Sequence, residues 1–397
     1  MKICYITPGY PPNTRGGMEI SLFLLTEALA KRGHKVSVFT PNYQGSDQVE
    51  EKNPKIYRLG WVSDSVFLRT NPISTRLFIK KILSFSTDFE IIDAYSWFQP
   101  AKILSKKLNI PFICSIRDST PVCDFRIDNK PEVNSTADYF KKRFSYYGLL
   151  PRQIANAFYG YLLTQSNHSS LKGAACVFCA SKALEKLVKP LNQCTKVINS
   201  IAQKDFKREK IKIDSVDFKK DKIVVYAGRL SSGKGVLFLY QVAEKLSQQN
   251  IKFVFIGEGE LRREICTLVN QNIICLGRKD HDFVLNVISK AAVCVVPSLV
   301  FEAFPRLAIE SISLGVPVIG TNVGGIPEAI GQAGIIIEPG NTEELTNAIR
   351  MLVDNKIEYQ KYKNATEKEA KKYTETAICN KVFQGYKEVI DEFRDIS

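Results

Sequence analysis

Eleven short apolar runs, each followed by a stretch of helical periodicity, constrain this chain more than any other feature. In the second half they are KIVVYAG (222–228), KFVFIG (252–257), IICLG (273–277), VCVVPS (293–298), VPVIGT (316–321) and GIIIEP (334–339). The first half carries KICYIT (2–7), KVSVFT (35–40), FEIIDAYS (89–96), PFICSIRD (111–118) and AACVFCAS (174–181). A strand with one wet face would be polar at every second position, and most of these runs are not. Runs apolar at both parities belong in parallel sheets, whose two faces are covered by crossover helices. The first connection shows the pattern: residues 18–32 place Ile20, Phe23, Leu24 and Ala28 on one helical face, and Gly33 stops the helix. The expected fold is α/β with doubly wound parallel sheets.

A chain of 397 residues is long enough for two or three domains. The charged, glycine-free stretch 206–222, FKREKIKIDSVDFKKDK, reads as an interdomain region. No apolar run approaches the ~18 residues that a membrane-spanning helix needs. MKICYITPGYPP reads as a strand broken by prolines and not as a signal peptide. The ten cysteines lie mostly in apolar runs, Cys4, Cys114, Cys275 and Cys294 among them, which suits reduced, buried thiols in a cytoplasmic protein. Cys176 and Cys179 form a CxxC inside a strand-like run with no second pair nearby, so they read as structural and not as a zinc or redox motif.

In open α/β sheets, ligands bind outside the carboxyl ends of the strands, so the loops after the apolar runs are where chemistry is expected. The segment 301–321, FEAFPRLAIESISLGVPVIGT, is the richest of them. Pro305 suits a first helical turn, which sets a helix start near Arg306. That turn presents free N–H groups and a partial positive charge, a seat for phosphate. Glu302 before it and Glu310 one turn deeper can accept hydroxyl protons, so the arrangement suits a phosphorylated sugar. The plainer reading is an amphipathic helix with two solvated glutamates.

The segment resembles the donor-site motif of the retaining GT-B glycosyltransferases of family 4 (glycosyl transferases group 1). Other matching motifs follow in the family's order: TPGYPPNTRGGME (7–19), YAGRLSSGKG (226–235), FIGEGEL (255–261), VVPS (295–298) and NVGGIPEAI (322–330). The resemblance covers nearly the whole chain and is weakest over 42–88 and 120–172. It implies two doubly wound Rossmann-like domains facing each other across a cleft. Residues 1–205 would form an acceptor-side domain, 206–375 a nucleotide-sugar-binding domain, and 376–397 a helix crossing back to the first domain. It further implies Glu302, Arg229, Lys234, Arg117 and Asp118 as the catalytic set. Gly16, Gly17, Gly257, Arg278, Phe304, Pro305, Arg306 and Glu310 would bind the donor.

Each motif has a rival. GRLSSGKG nearly matches a P-loop but ends in Gly235 where that loop needs a hydroxyl for magnesium. GEGELR (257–262) resembles a dinucleotide fingerprint with Arg262 in place of its third glycine. DHD (280–282) resembles a metal-binding DxD, but it precedes a helical run, so Asp282 reads as a helix cap and His281 as exposed. Arg229 and Lys234 supply the cations a diphosphate needs, and no metal or cofactor is expected. RGGME (15–19) opens the first helix, with Gly16 and Gly17 leaving N–H groups free. The family carries histidines on two strands of the first domain where this chain has Asp93, Tyr95, Arg117 and Asp118. Arginine cannot act as a base at neutral pH, but it can hold a phosphate or a hydroxyl.

The resemblance implies a hexosyltransferase-like enzyme moving a sugar from a UDP- or GDP-sugar to a carbohydrate or lipid-linked acceptor, in glycolipid or cell-surface polysaccharide synthesis. A catalytically silent nucleotide-sugar-binding subunit and a sugar-nucleotide epimerase of the same fold are the alternatives. Net charge is +14, and residues 1–200 carry 27 Lys and Arg against 15 Asp and Glu. Between 139 and 163 basic residues interleave with aromatics, and no acidic residue stands between Asp138 and Glu185. That pattern suits an anionic membrane surface at the cytoplasmic face. No nucleic-acid reader motif is present.

Overall fold

The computed structural model describes residues 1–12, 16–42, 45–60, 71–122, 151–246, 250–267 and 269–396, the side chains of 151–158 and 396 excepted. The described residues form two compact units, one of residues 1–122, 151–201 and 378–396, the other of residues 202–377. Residues 203–221 thus lie in the second unit, where the Lys207 carbonyl and the Glu209 amide bond to Asn286.

The first unit runs β1 (Lys2–Ile6), α1 (Gly17–Lys31), β2 (Lys35–Asn42), β3 (Gln48–Glu50), β4 (Lys55–Gly60), α2 (Pro72–Phe85), β5 (Ile91–Tyr95), α3 (Phe98–Leu108), β6 (Phe112–Ile116), α4 (Pro151–Gly173), β7 (Cys176–Cys179), α5 (Lys182–Val188) and β8 (Thr195–Val197). Its sheet has the order β3-β4-β2-β1-β5-β6-β7-β8. All neighbours are parallel except β3, which runs antiparallel on β4 at the edge. The central strands β1, β5, β6 and β7 are almost wholly buried, as their unbroken apolar runs require. Helix ends carry their own signals. Asn71 caps α2 by accepting from Ile73, with Pro72 in the first turn, and Ser181 accepts from Leu184 at the start of α5.

The second unit runs β9 (Lys222–Ala227), a 3₁₀ turn (Ser232–Lys234), α6 (Val236–Lys245), β10 (Ile251–Ile256), α7 (Arg262–Thr267), β11 (Ile273–Cys275), α8 (His281–Ile288), β12 (Val293–Val296), α9 (Arg306–Ser313), β13 (Val318–Thr321), α10 (Ile326–Ile330), β14 (Gly334–Ile337), α11 (Thr342–Asp354), α12 (Lys356–Ala370) and a 3₁₀ turn (Lys371–Tyr373). Its sheet is all parallel, in the order β11-β10-β9-β12-β13-β14. The period-two alternation of strands divides its core. Ile223, Val225, Cys294 and Val296 face α8, α9 and α10, while Val224, Tyr226, Val293 and Val295 face α6 and α11. The expected α/β class with doubly wound parallel sheets holds in both units.

Helix α13 (Glu375–Ile396) ends the chain, and from Ile378 onward it belongs to the first unit. Ile378, Cys379, Val382, Tyr386, Val389 and Ile390 join the core formed by β1, β2, β5, β6 and β7. Tyr386 stacks on Phe178 with ring centroids 5.6 Å apart, and Lys196 of β8 pairs with Glu388.

One cysteine departs from expectation. Cys275, read as a reduced strand thiol, is disulfide-bonded to Cys266 of α7. β11 is a three-residue edge strand, and α7 precedes it closely enough to lay Cys266 against its end; an apolar run cannot reveal which helix residue lands beside it. Among the described residues Cys4, Cys114, Cys176, Cys179, Cys194, Cys294 and Cys379 are not disulfide-bonded, and all but Cys194 are buried.

Close packing of α13 makes a measurable demand at Gly385, where an added Cβ would stand 2.7 Å from the Phe178 ring. Gly385→Val should destabilise the protein by about 1–3 kcal/mol through overpacking. Gly173→Ala, where a Cβ would meet only the flexible Lys102 chain at 3.4 Å, should change stability by roughly 0.5 kcal/mol or less. Paired denaturant melts measure both.

Candidate functional site

In the second unit the strand order reverses between β9 and β12, and open α/β sheets bind ligands where the carboxyl-end loops of such strands diverge. The loop after β9 ends in the turn that carries Lys234, and the loop after β12 carries Ser298 and Glu302. Lys234 Nζ pairs with Glu302 Oε1, and the Ser298 hydroxyl donates to that same oxygen at 2.6 Å. The Glu302 side chain is only 16% exposed, so without these two partners its charge would be costly to hold there. Leu299 N–H donates to the Gly233 carbonyl at 2.9 Å, joining the two loops directly.

Glycines set this geometry. Gly235 has φ +69°, and a Cβ there would lie 1.9 Å from the Pro297 carbonyl oxygen. The residue at the P-loop's hydroxyl position must therefore be glycine here, which rules out that reading on geometry. Gly324, with φ +55°, lies against the Glu302 backbone, and Gly325 N–H donates to the Glu302 carbonyl at 2.7 Å. The NVGGIPEAI motif is thus the cradle of Glu302. Thr321 donates to the Ser298 carbonyl at 2.6 Å and holds the other side.

Arg229 follows β9, and its carbonyl accepts from the Tyr226 hydroxyl at 2.7 Å. Burial pushes the Tyr226 phenol well up, and the nearby Glu302 adds to the shift. The Arg229 side chain is exposed and enters no ion pair among the described residues.

Helix α9 begins at Arg306 as expected, but Pro305 occupies the cap position just ahead of it and not the first turn, and no side chain caps the helix. Arg306 turns back onto Glu310, one turn along. Glu310 is 3% exposed. Burial raises its carboxyl pKa, but Arg306 and His281 beside it outweigh that and hold it below the usual carboxylate range. His281 Nε2 lies 3.2 Å from Glu310 Oε1. Two sequence expectations change here: His281 is half-buried beside Glu310 and not exposed, and Asp280, not Asp282, caps α8 by accepting from Phe283 at 2.8 Å. The plainer alternative of a solvated Glu310 also falls, because Glu310 is buried and paired with Arg306. Phe304 meets Tyr373 edge-on at 5.7 Å, anchoring the loop from within the unit.

After β10, Gly257 donates to the Gly277 carbonyl at 2.9 Å and is pressed against Gly228, whose carbonyl oxygen a Cβ would approach to 1.8 Å. Glu258 accepts from the Arg278 amide at 3.2 Å and pairs with Arg262, so Arg262 stabilises this turn where a dinucleotide fingerprint would have glycine. The Arg278 side chain is exposed.

The first unit's sheet reverses between β1 and β5. Gly16 caps α1, and Gly17 is its first residue. The Gly16 N–H is not free as expected, because it donates to the Glu19 carboxylate at 3.0 Å. On β5, Asp93 is 1% exposed and accepts from the Tyr386 hydroxyl, which also shares a proton with Tyr5 at 2.7 Å. Burial raises the Asp93 carboxyl to about 6, against the opposing pull of Tyr386, Ser115 and Arg117. Arg117 is turned inward, donating to the Ile198 carbonyl and to the Tyr95 hydroxyl at 3.1 Å, with its charge 5.3 Å from the Tyr95 ring centroid. Asp118 accepts from the Thr120 amide at 2.9 Å and from its hydroxyl, which makes it the pin of a tight turn. Ser298, Ser115 and Tyr386 were not singled out from the sequence, and His281 was read as exposed. Only Ser298 carried a local signal, as the last residue of VVPS.

The sequence model for glycosyl transferases group 1 matches residues 207–372, and that for glycosyltransferase family 4 matches residues 15–198. An uncharacterized glycosyltransferase of Methanocaldococcus jannaschii is 26% identical over 407 aligned residues, covering 98% of each chain. The sucrose-phosphate synthase of Thermosynechococcus elongatus superposes with a TM-score of 0.70 at 20% identity, covering 99% of this chain and 100% of that one. An Anabaena protein solved in complex with UDP-glucose gives 0.67 at 16% identity, covering 98% and 100%.

Asp93 generates a pH prediction. Its folded value of about 6 lies above the ordinary 3.8. Its contribution to stability is therefore full below 3.8 and lost as pH rises through about 6. Relative to Asp93→Asn, the wild type should lose up to ~3 kcal/mol across that window, read from denaturant melts at its two ends.

Proposed function

The chain belongs to the family-4 glycosyltransferases of the GT-B fold, and on that premise we propose that it transfers a hexose from a UDP- or GDP-sugar to an acceptor hydroxyl with retention of anomeric configuration. The observation that carries the reading is the meeting of Lys234, Glu302 and Ser298 at the carboxyl ends of β9 and β12, beside an Arg229 with no ion-pair partner among the described residues.

Arg229 and Lys234 bind the donor diphosphate and stabilise the leaving nucleotide, Arg229 as a fork and Lys234 as a point charge. Glu302 then exchanges part of its bond to Lys234 for a sugar hydroxyl. The first turn of α9, bounded by Phe304 and Pro305, adds N–H groups for phosphate. Ribose hydroxyls take over Glu310 from Arg306, while His281 stays beside it. Gly257 and Arg278 border the nucleotide. The departing phosphate assists removal of the acceptor proton on the same face, so no protein nucleophile takes part. Arg117, pinned by Ile198 and Tyr95, shapes the first unit's sheet end instead of touching the acceptor, and Asp118 holds the adjoining turn.

The acceptor is a carbohydrate or a lipid-linked sugar, and the first unit meets it at an anionic membrane surface. Residues 139–150 of the basic–aromatic stretch and the side chains of 151–158 lie outside the described residues, but α2 supports the same reading. It exposes Ile73 (69%) and Leu77 (58%) beside exposed Arg76 and Lys80. No described helix is long and apolar enough to cross a membrane.

Acceptor-dependent release of nucleotide separates a transferase from a silent binding subunit or an epimerase. Lys234→Ala and Arg229→Ala should each weaken binding of the nucleoside diphosphate by about 10–100-fold. Glu302→Gln should act mainly on the intact nucleotide sugar. Calorimetry with unchanged affinity in both cation variants would refute the assignment.

Cosedimentation with vesicles tests the surface. Wild type should bind anionic vesicles and leave them as salt rises, since each basic residue near such a leaflet contributes about 1 kcal/mol. Ile73→Ser with Leu77→Ser, or Arg76→Glu with Lys80→Glu, should bind less. Equal, negligible binding of the wild type to neutral and anionic vesicles removes the membrane from the reading.

A further inference from the structure

Two thiols meet at the edge of the first unit's sheet with no part in sugar transfer. Cys176 opens β7, and Cys194 stands immediately before β8. The strands are parallel with Val177 opposite Thr195, and the Val177 amide donates to the Cys194 carbonyl at 2.9 Å. One step back along that register sets Cys176 opposite Cys194. Paired residues of neighbouring strands point to the same face, and their strands are about 4.8 Å apart. That spacing falls inside the Cα separation a disulfide can bridge. Both side chains belong to the face that α13 covers, and the thiols are in hydrogen-bonding contact. Cys179, three residues along the strand, points to the opposite face.

The two thiols differ in access. Cys176 is buried and Cys194 only partly so. The contact with Cys176, and to a lesser degree Lys196, draws the Cys194 thiol down to about 7 against the opposing effects of burial, Glu392 and Glu388. A partly buried cysteine with thiolate character next to a second, buried one is the arrangement that thiol–disulfide exchange needs.

We propose that Cys194 and Cys176 form a thiol-modification site, at which Cys194 reacts with a small disulfide of the glutathione class and Cys176 resolves the adduct. The Cys194 thiolate attacks one sulfur of the small disulfide; that S–S bond breaks and one small thiolate leaves. Cys176, after losing its proton, attacks Cys194 Sγ and expels the second. The protein gives up two protons and two electrons and gains one S–S bond, while the small disulfide is reduced to two thiols. The site sits on the strand whose Lys196 holds Glu388 and whose following residue, Ile198, holds Arg117.

The test is peptide mapping of the full chain after incubation with oxidised glutathione near neutral pH, with the Cys266–Cys275 bond mapped separately. Wild type and Cys179→Ser should both yield a peptide pair linked through Cys176 and Cys194. Cys176→Ser should keep a glutathione adduct on Cys194, and Cys194→Ser should show neither product. In the untreated protein Cys194 should alkylate at least about tenfold faster than buried Cys294. The proposal is overturned by an unmodified Cys194 after treatment, by a link from Cys179 or Cys379 instead, or by a Cys194 that alkylates no faster than Cys294. Because no readout involves sugar transfer, this result and that of the donor-binding test stand apart.

Discussion

The carboxylate of Glu302 is the interaction on which the second unit's functional end depends. A largely buried charge must be matched by hydrogen bonds and an opposite charge, or its desolvation cost is not recovered. Here the matching groups come from separate loops, Lys234 after β9 and Ser298 after β12, while the Gly325 N–H after β13 fixes the Glu302 backbone carbonyl. They can converge because β9 and β12, far apart in sequence, are neighbours in the sheet. The chain leaves β9 for β10 and β11 on one side and returns as β12 on the other, so the strand order brings the paired charges together.

Glu310 shows a different solution to the same problem. Its partners lie one helical turn away and on the neighbouring helix α8, and the result is a carboxyl held below its ordinary range even though it is buried. Asp93, equally buried, has hydroxyls and a more distant cation around it, and its carboxyl rises. Glu310 and Asp93, both buried, therefore shift in opposite directions because of what stands beside them. A guanidinium in contact outweighs burial; phenol hydroxyls do not.

Much of this was legible in the sequence. The unbroken apolar runs place the central strands, because burial on both faces demands them. The motif residues Glu302, Lys234 and Gly324 fall together because each lies just beyond a strand. The edge strands β3 and β8, and β4 next to β3, were not legible: QVE is too polar and too short to separate from loop, Arg58 interrupts the apolar run of β4, and the half-buried β8 leaves no unbroken run. The roles of His281, Ser115 and Tyr386 were missed because they depend on neighbours supplied by other elements. The inward turn of Arg117 onto Ile198, 81 residues away, is likewise invisible in the residues around it. The Cys266–Cys275 bond was misread because composition reports on compartments and not on which two sulfurs touch.

The return of α13 to the first unit carries a consequence for how the chain matures. The sheet that begins with β1 receives part of its core only when the last helix has been synthesised. Until then Tyr5 lacks its hydroxyl partner, Phe178 lacks its stacking ring, and Asp93 lacks the donor on its inner oxygen. Domains generally fold in order as they emerge from the ribosome, N-terminal first. Here the first unit to emerge is the last to be completed. Its closing contacts join residues as far as 381 positions apart, a separation that slows folding by raising contact order. A ribosome-bound intermediate would thus hold a finished second unit and an open first one.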